Sequence, residues 1–313
     1  MTAAFIEIPS NPTPNGAELF IHEARDGVKL RCAFFPTENA RGAIILQAGW
    51  SEFIEKYFET VRDLQAHGYS VAMMDWRAQG LSDRENDATR DWPDYFQIIR
   101  DDLREFTEVT AARFPGRLFL MTHSMAGMPA LMLLATGYDR FEKAVLCAPM
   151  TRLFAPAMNG LVRVAAFLTC HAGMARTAVN SGSDDSMRFE GNMFSTDRTR
   201  HTMFKDLQQA EPRAALSAPT YGWVREALAA SREIHRTGYF DDVKTPVLIV
   251  TAGDEQRIDA TDHPEIANRH ELISQTTIPG ALHEIMMERD ELRDQFLQTT
   301  LNFFQENAQT RAS

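Results

Sequence analysis

Three polar side chains, far apart in the chain, have the types and the order that acyl-transfer chemistry needs. The first is Ser124, in the stretch RLFLMTHSMAG over residues 117–127. An apolar run from Leu118 to Met121 stops at Thr122. After Ser124 come small residues and then Met128-Pro129-Ala130-Leu131-Met132-Leu133-Leu134. A strand that turns sharply into a helix, with serine at the apex, is the setting of a nucleophile elbow, G-x-S-x-G. Thr122 and Ala126 stand where the glycines are expected. Glycine suits strained backbone best. Alanine adds little bulk, and a β-branched threonine is comfortable at a strand end. A serine capping a helix would read the same way, so this stretch alone does not decide.

Its partners would be a base and a carboxylate that orients the base. His283 follows a strand and a Pro-Gly turn in Ile278-Pro279-Gly280-Ala281-Leu282-His283-Glu284, which presents an imidazole over a sheet edge. The acid belongs after the strand Val247–Thr251, where Asp254, Glu255 and Asp259 stand in Gly253-Asp254-Glu255-Gln256-Arg257-Ile258-Asp259. Serine, acid, histidine is the chain order of this elbow chemistry. Two backbone N–H groups should face the developing oxyanion. One is that of Met125, after the serine. The other is that of Trp50, in Gln47-Ala48-Gly49-Trp50-Ser51-Glu52, where Gly49 permits a tight turn. The other histidines show no metal-ligand spacing such as H-E-x-x-H, so no metal and no cofactor is expected.

These residues require a scaffold, and the hydrophobic pattern supplies one. Phe20–Glu23 and Lys29–Phe34 flank an Asp-Gly pair and predict a hairpin. Short apolar runs follow at Ala43–Leu46, Ser70–Met74, Leu118–Met121, Ala144–Cys147, Val247–Thr251 and Gln275–Ile278. Between them lie helical patterns at Glu55–His67, Tyr95–Phe114 and Met125–Thr136, and a last one at Asp290–Gln305. The alternation predicts an α/β fold with a mostly parallel sheet covered by helices on both faces. The interval 150–238 breaks the rhythm. It has helical pieces such as Leu161–Leu168 and a polar stretch Ser181-Gly182-Ser183-Asp184-Asp185, but no clear buried strand. A helical cap inserted after the sixth strand over a core of 1–149 and 239–313 is expected, roofing the strand ends where open α/β sheets bind ligands.

Composition narrows the partners. The 313 residues carry a net charge of −11, which argues against a nucleic-acid partner. No apolar stretch reaches the roughly 20 residues of a membrane span. The start MTAAFIEIPS has no basic residue and no long apolar core, so no secretory leader is expected. Cys32, Cys147 and Cys170 are odd in number and lack C-x-x-C spacing, which fits free thiols in the cytoplasm.

The residues also carry a resemblance. Trp50-Ser51-Glu52-Phe53-Ile54-Glu55-Lys56-Tyr57, with its E-x-x-x-K-Y core, and Asp75-Trp76-Arg77-Ala78-Gln79-Gly80-Leu81-Ser82 are similar to segments of the lysophospholipase and monoacylglycerol-lipase-like branch of the α/β-hydrolases, especially bacterial lysophospholipases of the L2 type. So are His123-Ser124-Met125-Ala126-Gly127, Pro219-Thr220-Tyr221-Gly222-Trp223-Val224 and Gly280-Ala281-Leu282-His283-Glu284-Ile285. Ala78 and Ala126 replace family glycines. The family places its acid four residues before a second acidic residue; Asp259 fits that second position and so selects Glu255 over Asp254. The resemblance implies hydrolysis of an amphipathic ester with one acyl chain, a lysophospholipid or a monoacylglycerol. It implies Ser124 as nucleophile, His283 as base, Glu255 as orienting acid, and transient contact with lipid aggregates. Leu153, Phe154, Met158, Leu161 and Phe167 are apolar enough to line an acyl channel, or simply to pack helices. The alternatives are a general carboxylesterase for short or bulky esters and a catalytically silent binding protein. A dehalogenase or epoxide hydrolase would need aspartate at position 124. Oligomeric state is not readable from the sequence.

Overall fold

The computed structural model describes residues 4–84, 93–179, 188–216 and 218–306. The polar stretch Ser181–Asp185 therefore lies outside the described residues. The strands are β1 (Glu18–Glu23), β2 (Lys29–Phe35), β3 (Ala43–Gln47), β4 (Ser70–Met74), β5 (Leu118–His123), β6 (Lys143–Cys147), β7 (Val247–Ala252) and β8 (Ile273–Ile278). They form one sheet in the order β1-β2-β4-β3-β5-β6-β7-β8. β2 is antiparallel to both its neighbours, and from β4 to β8 every pairing is parallel. β3, β4, β5 and β6 are buried along their whole length, as strands covered on both faces must be.

The helices are α1 (Phe58–Ala66), α2 (Tyr95–Arg113), α3 (Gly127–Leu134), α4 (Pro156–Thr169), α5 (Arg198–Ala210), α6 (Tyr221–Ile234), α7 (His263–Ala267) and α8 (Asp290–Gln305). The expected helix from Glu55 begins as a 3₁₀ turn, Ile54–Tyr57, before α1. Gly68, at φ +83°, ends that helix as its lack of a side chain allows. One core packs α1 and α8 against the sheet through Phe58, Val61, Phe119, Phe296 and Phe304. The other packs α2 and α3 through Phe96, Phe106, Met128, Leu131 and Ile45.

Between β6 and β7 the described residues hold α4, α5 and α6 and no strand. α4 rests on α6 through Ala166, Val224 and Leu228. Trp223 of α6 reaches down to Phe96 and Trp50, with ring centroids 5.9 and 6.0 Å away. Phe204 of α5 meets Phe53 at 5.5 Å. These aromatic contacts seat α5 and α6 on the segment that follows β3 and on the start of α2.

Candidate active site

β5 carries the chain to His123, and Ser124 then turns at φ +49°. A non-glycine residue in this left-handed region is strained and is held there by its surroundings. A 3₁₀ turn over Ser124–Ala126 leads into α3. The close approach that a glycine must satisfy falls one residue later than the sequence pattern suggested. Ala126 is buried at an ordinary helical φ of −63°. A Cβ on Gly127 would stand 2.3 Å from the Pro149 Cβ. Thr122 lies within β5, paired with Gln47 on one side and Leu146 on the other. The two departures from G-x-S-x-G thus sit at positions where a side chain fits.

His283 Nε2 lies 2.8 Å from the Ser124 hydroxyl oxygen, and its Nδ1 lies 2.7 Å from Glu255 Oε2. A carboxylate only accepts, so Nδ1 carries the proton and Nε2 offers its lone pair to the hydroxyl. Burial pushes the His283 imidazole below the ordinary histidine value, outweighing the Glu255 carboxylate that favours its charged form. The ring is held neutral and able to take a proton. Burial raises Glu255, but the His283 hydrogen bond and charge outweigh it and hold the carboxyl below its ordinary range.

Glu255 is fixed by its own turn, accepting from the backbone N–H of Arg257 at 2.7 Å and of Ile258 at 3.3 Å. Asp254 is exposed, and its backbone N–H goes to the Ala281 carbonyl. Asp259 accepts from Thr261 and pairs with Arg152 at 3.4 Å, which secures the far end of the loop. At Gly253 a Cβ would meet the Ile278 carbonyl oxygen and Pro279 Cα at 2.8 Å. That contact presses the loop bearing Glu255 against the loop bearing His283.

The segment after β3 closes over the serine. A Cβ on Gly49 would stand 3.1 Å from Ser124 Cβ, so only a glycine lets this backbone come so near. Trp50 follows it, and Ser51 turns at φ +63° with its N–H on Gln79 Oε1 at 2.7 Å. Gln79 also donates to Tyr95 Oη at 3.0 Å and touches Met125 Sδ. The loop with Trp50 and the turn with Met125 are therefore braced by one amide. Met125 begins the turn into α3, where backbone N–H groups face outward and favour negative charge.

Beneath this lies a buried ionic set that sequence reasoning quoted as motif letters without giving it a task. Glu52 accepts from Lys56 Nζ at 2.7 Å, Tyr57 Oη at 2.6 Å and the Gly49 N–H. Lys56 also pairs with Glu284 at 2.7 Å. His123 Nδ1 stands 3.1 Å from Glu52 Oε2, and its Nε2 stands 3.2 Å from the His283 carbonyl oxygen. Burial opposes charge on both Glu52 and Lys56, yet their partners prevail: Glu52 is held well below the carboxylate range and Lys56 is raised. The available signal was the four-residue spacing of Glu52 and Lys56, charged residues with Phe53, Ile54 and Tyr57 around them.

A cleft of about 660 Å³ runs from Glu255 to the start of α4 and adjoins the reacting groups through Glu255, with neither Ser124 nor His283 in its wall. Leu153, Phe154, Met158 and Ile258 line it together with Gln256, Arg257 and Asp259. Leu161 and Phe167, expected beside them, instead point to solvent at 75% and 59% exposure. The helical period places them on the outer face of α4.

The family described as serine aminopeptidase, S33, matches residues 38–290. Lysophospholipase L2 of Escherichia coli strain K12 is 26% identical over 295 residues, covering 89% of this chain and 85% of that protein. A soluble variant of monoglyceride lipase from Saccharomyces cerevisiae, solved with a substrate analog, has a TM-score of 0.74 at 18% identity, over 95% of this chain and 97% of that one. A thermostable carboxyl esterase from Bacillus coagulans has a TM-score of 0.72 at 14% identity, over 92% and 97%. With its mostly parallel sheet flanked by helices, the chain is an α/β-hydrolase and a serine hydrolase, and it belongs to the serine aminopeptidase S33 family.

Proposed function

We propose that this protein hydrolyses carboxylic esters bearing a single acyl chain, lysophospholipids or monoacylglycerols, through an acyl-enzyme. The observation that carries the reading is the unbroken chain of hydrogen bonds from Ser124 through His283 to Glu255, at 2.8 and 2.7 Å. Ser124 Oγ attacks the ester carbonyl carbon while His283 Nε2 takes its proton. Glu255 keeps the proton on Nδ1 and stabilises the imidazolium. The N–H groups of Met125 and Trp50 receive the oxyanion. His283 returns the proton to the leaving alkoxide, which departs as the alcohol. Water, deprotonated by the same ring, then releases the fatty acid and restores Ser124.

Residues 150–238 act as the cap, and the cleft beside Leu153, Phe154 and Met158 takes apolar substrate. The names of the relatives favour a lipid substrate. So does α4, whose Leu161, Val164, Phe167 and Leu168 are all more than half exposed. No acidic residue occurs between Glu142 and Asp184, in a chain of net charge −11. An apolar face without acids suits contact with a lipid aggregate. Cys32 and Cys147 are buried free thiols, which fits a reducing compartment such as the cytoplasm.

The test is hydrolysis of a total lipid extract by wild type and by Ser124→Ala. Fatty acid released from single-chain lipids only when Ser124 is present supports the reading. An optimum on short nitrophenyl esters with no release from lysophosphatidylcholine would replace the lipid reading with a general carboxylesterase. A wild type that never reacts with a fluorophosphonate probe would point to a silent binding protein.

A further inference from the structure

Both ring nitrogens of His123 face groups that only accept. Nδ1 is 3.1 Å from the Glu52 carboxylate and Nε2 is 3.2 Å from the His283 carbonyl oxygen. A neutral imidazole has one N–H and would leave one of these contacts as acceptor against acceptor. His123 is 2% exposed, so no bulk water relieves such a clash. Charge placement agrees. Lys56 is shared between Glu52 and Glu284. Lys205 and Arg257 also act on Glu284, whereas the groups that bear on Glu52 are Lys56 and His123. Glu52 Oε1 accepts from Lys56, Oε2 accepts from Gly49 and Tyr57, and His123 Nδ1 is the third group on Oε2.

We propose that His123 is a fixed imidazolium and a positioning residue. It donates from Nδ1 to Glu52 and from Nε2 to the His283 carbonyl, and so ties the loop carrying Trp50 to the backbone of His283. The inference rests on the reading of Ser124, His283 and Glu255 as the reacting set. Its effect on the reaction has two parts. The Glu52 carboxylate holds the Gly49 N–H, one residue before Trp50, so the pair fixes the oxyanion loop. The His123 ring also lies 5.1 Å from the His283 ring. A positive charge there opposes protonation of His283 and keeps that base neutral to lower pH.

The groups around the pair are identifiable. Glu52 and Lys56 act on His123 from the segment after β3, and Glu284 from the loop after β8; Tyr57 meets the Glu52 carboxylate. Cys147 of β6 interacts with Glu52, Glu255 and Glu284. His201 and Lys205 of α5 act on Glu284 from outside. Burial disfavours the charged form of His123, but the Glu52 charge and hydrogen bond more than offset it and raise the group above its ordinary value.

Nitrogen NMR of the histidine rings in the wild-type protein tests the charge directly. His123 should keep both ring protons across about pH 5 to 8, where an unperturbed histidine changes charge. Loss of a proton in that range overturns the proposal. His123→Asn should lower kcat about 100-fold with KM little changed, as misplacement by about an ångström does. It should also move the acid limb of kcat/KM to higher pH. A limb that stays in place in the folded variant overturns the electrostatic part, since a merely structural role would lower stability without moving it. Glu52→Gln should return His123 to ordinary titration, and a His123 that stays doubly protonated in that variant contradicts the pairing. If Ser124 proves unreactive toward a fluorophosphonate, the reading of the reacting set fails, while the NMR result still decides the state of His123.

Discussion

Beneath Ser124, Glu52, Lys56, His123 and Glu284 are joined by contacts of 2.7–3.1 Å in a dry floor. Above it, on α4, Leu161, Val164, Phe167 and Leu168 show more than half their surface to water. The floor holds charges almost out of solvent, with Glu284 the most exposed at 14%, and the roof has apolar surface without protein. Each breaks the usual rule of burial, and in opposite directions. Buried charges stand only when fully partnered, and removing one partner strands the other. An exposed apolar face has no such constraint, and it favours whatever apolar surface comes near. Under the proposed function, the chemistry falls to the fully partnered region and contact with the substrate surface to the exposed one.

The sharpest way to break this contrast is at the reacting set itself. Ser124→Ala should lower ester hydrolysis by about 10⁴-fold or more, measured under single-turnover conditions with a soluble ester. Retention of activity would make the floor a scaffold without chemistry. Next in size, Glu255→Gln should cost roughly 100- to 10⁴-fold, because the amide no longer fixes the tautomer of His283. Asp254→Asn, at an exposed side chain, should change the rate by no more than about twofold, in keeping with ordinary surface substitutions. A reversal of the two would move the orienting role to Asp254.

A smaller effect tests packing, with one substitution made in both regions. Gly127→Ala places a methyl 2.3 Å from Pro149 Cβ and should destabilise the fold by about 1–3 kcal/mol. Gly160→Ala, inside α4 with nothing within 4 Å of the added carbon, should stabilise it by about 0.5–1 kcal/mol. Denaturant midpoints of the two variants decide whether floor and roof differ in sign. The smallest change in stability is expected from Leu161→Ser with Phe167→Ser, within about 0.5 kcal/mol of wild type. Soluble esters should be hydrolysed as before. Vesicle binding should weaken about 10-fold or more, since each large apolar side chain contributes about 1.5–3 kcal/mol on leaving water. Undiminished binding would assign the lipid contact to another surface.

Much of the scaffold was legible because the β runs are short, apolar and separated by helical periods. The hairpin, the central strands and the last helix lie where alternation and period put them. Gln275–Ile278 was read two residues short because Ile273 and Ser274 begin a half-exposed strand with little hydrophobic contrast. Ser124 and His283 stood out through their place at strand ends. Residue types alone left Glu255 and Asp254 open, since neighbouring carboxylates differ only in the direction a turn gives them. The faces of α4 were legible as faces, but a period does not say which one meets protein, so Leu161 and Phe167 were assigned inward. The ionic floor was hidden for another reason. Its partners lie 71 and 160 residues apart in the chain, and no local pattern links His123 to Glu52 or to the His283 carbonyl.

The junction between floor and roof has a consequence for rebuilding this enzyme. The Met150 N–H bonds the Ser124 carbonyl at 2.8 Å, and Pro149 packs directly on residue 127 only because that residue is a glycine. The first residues of the insertion are therefore part of the turn that holds the serine. A cap transplanted from another hydrolase should be spliced after Thr151. A graft that begins at Ala148 would replace the helices between β6 and β7 and unseat Ser124 in the same cut.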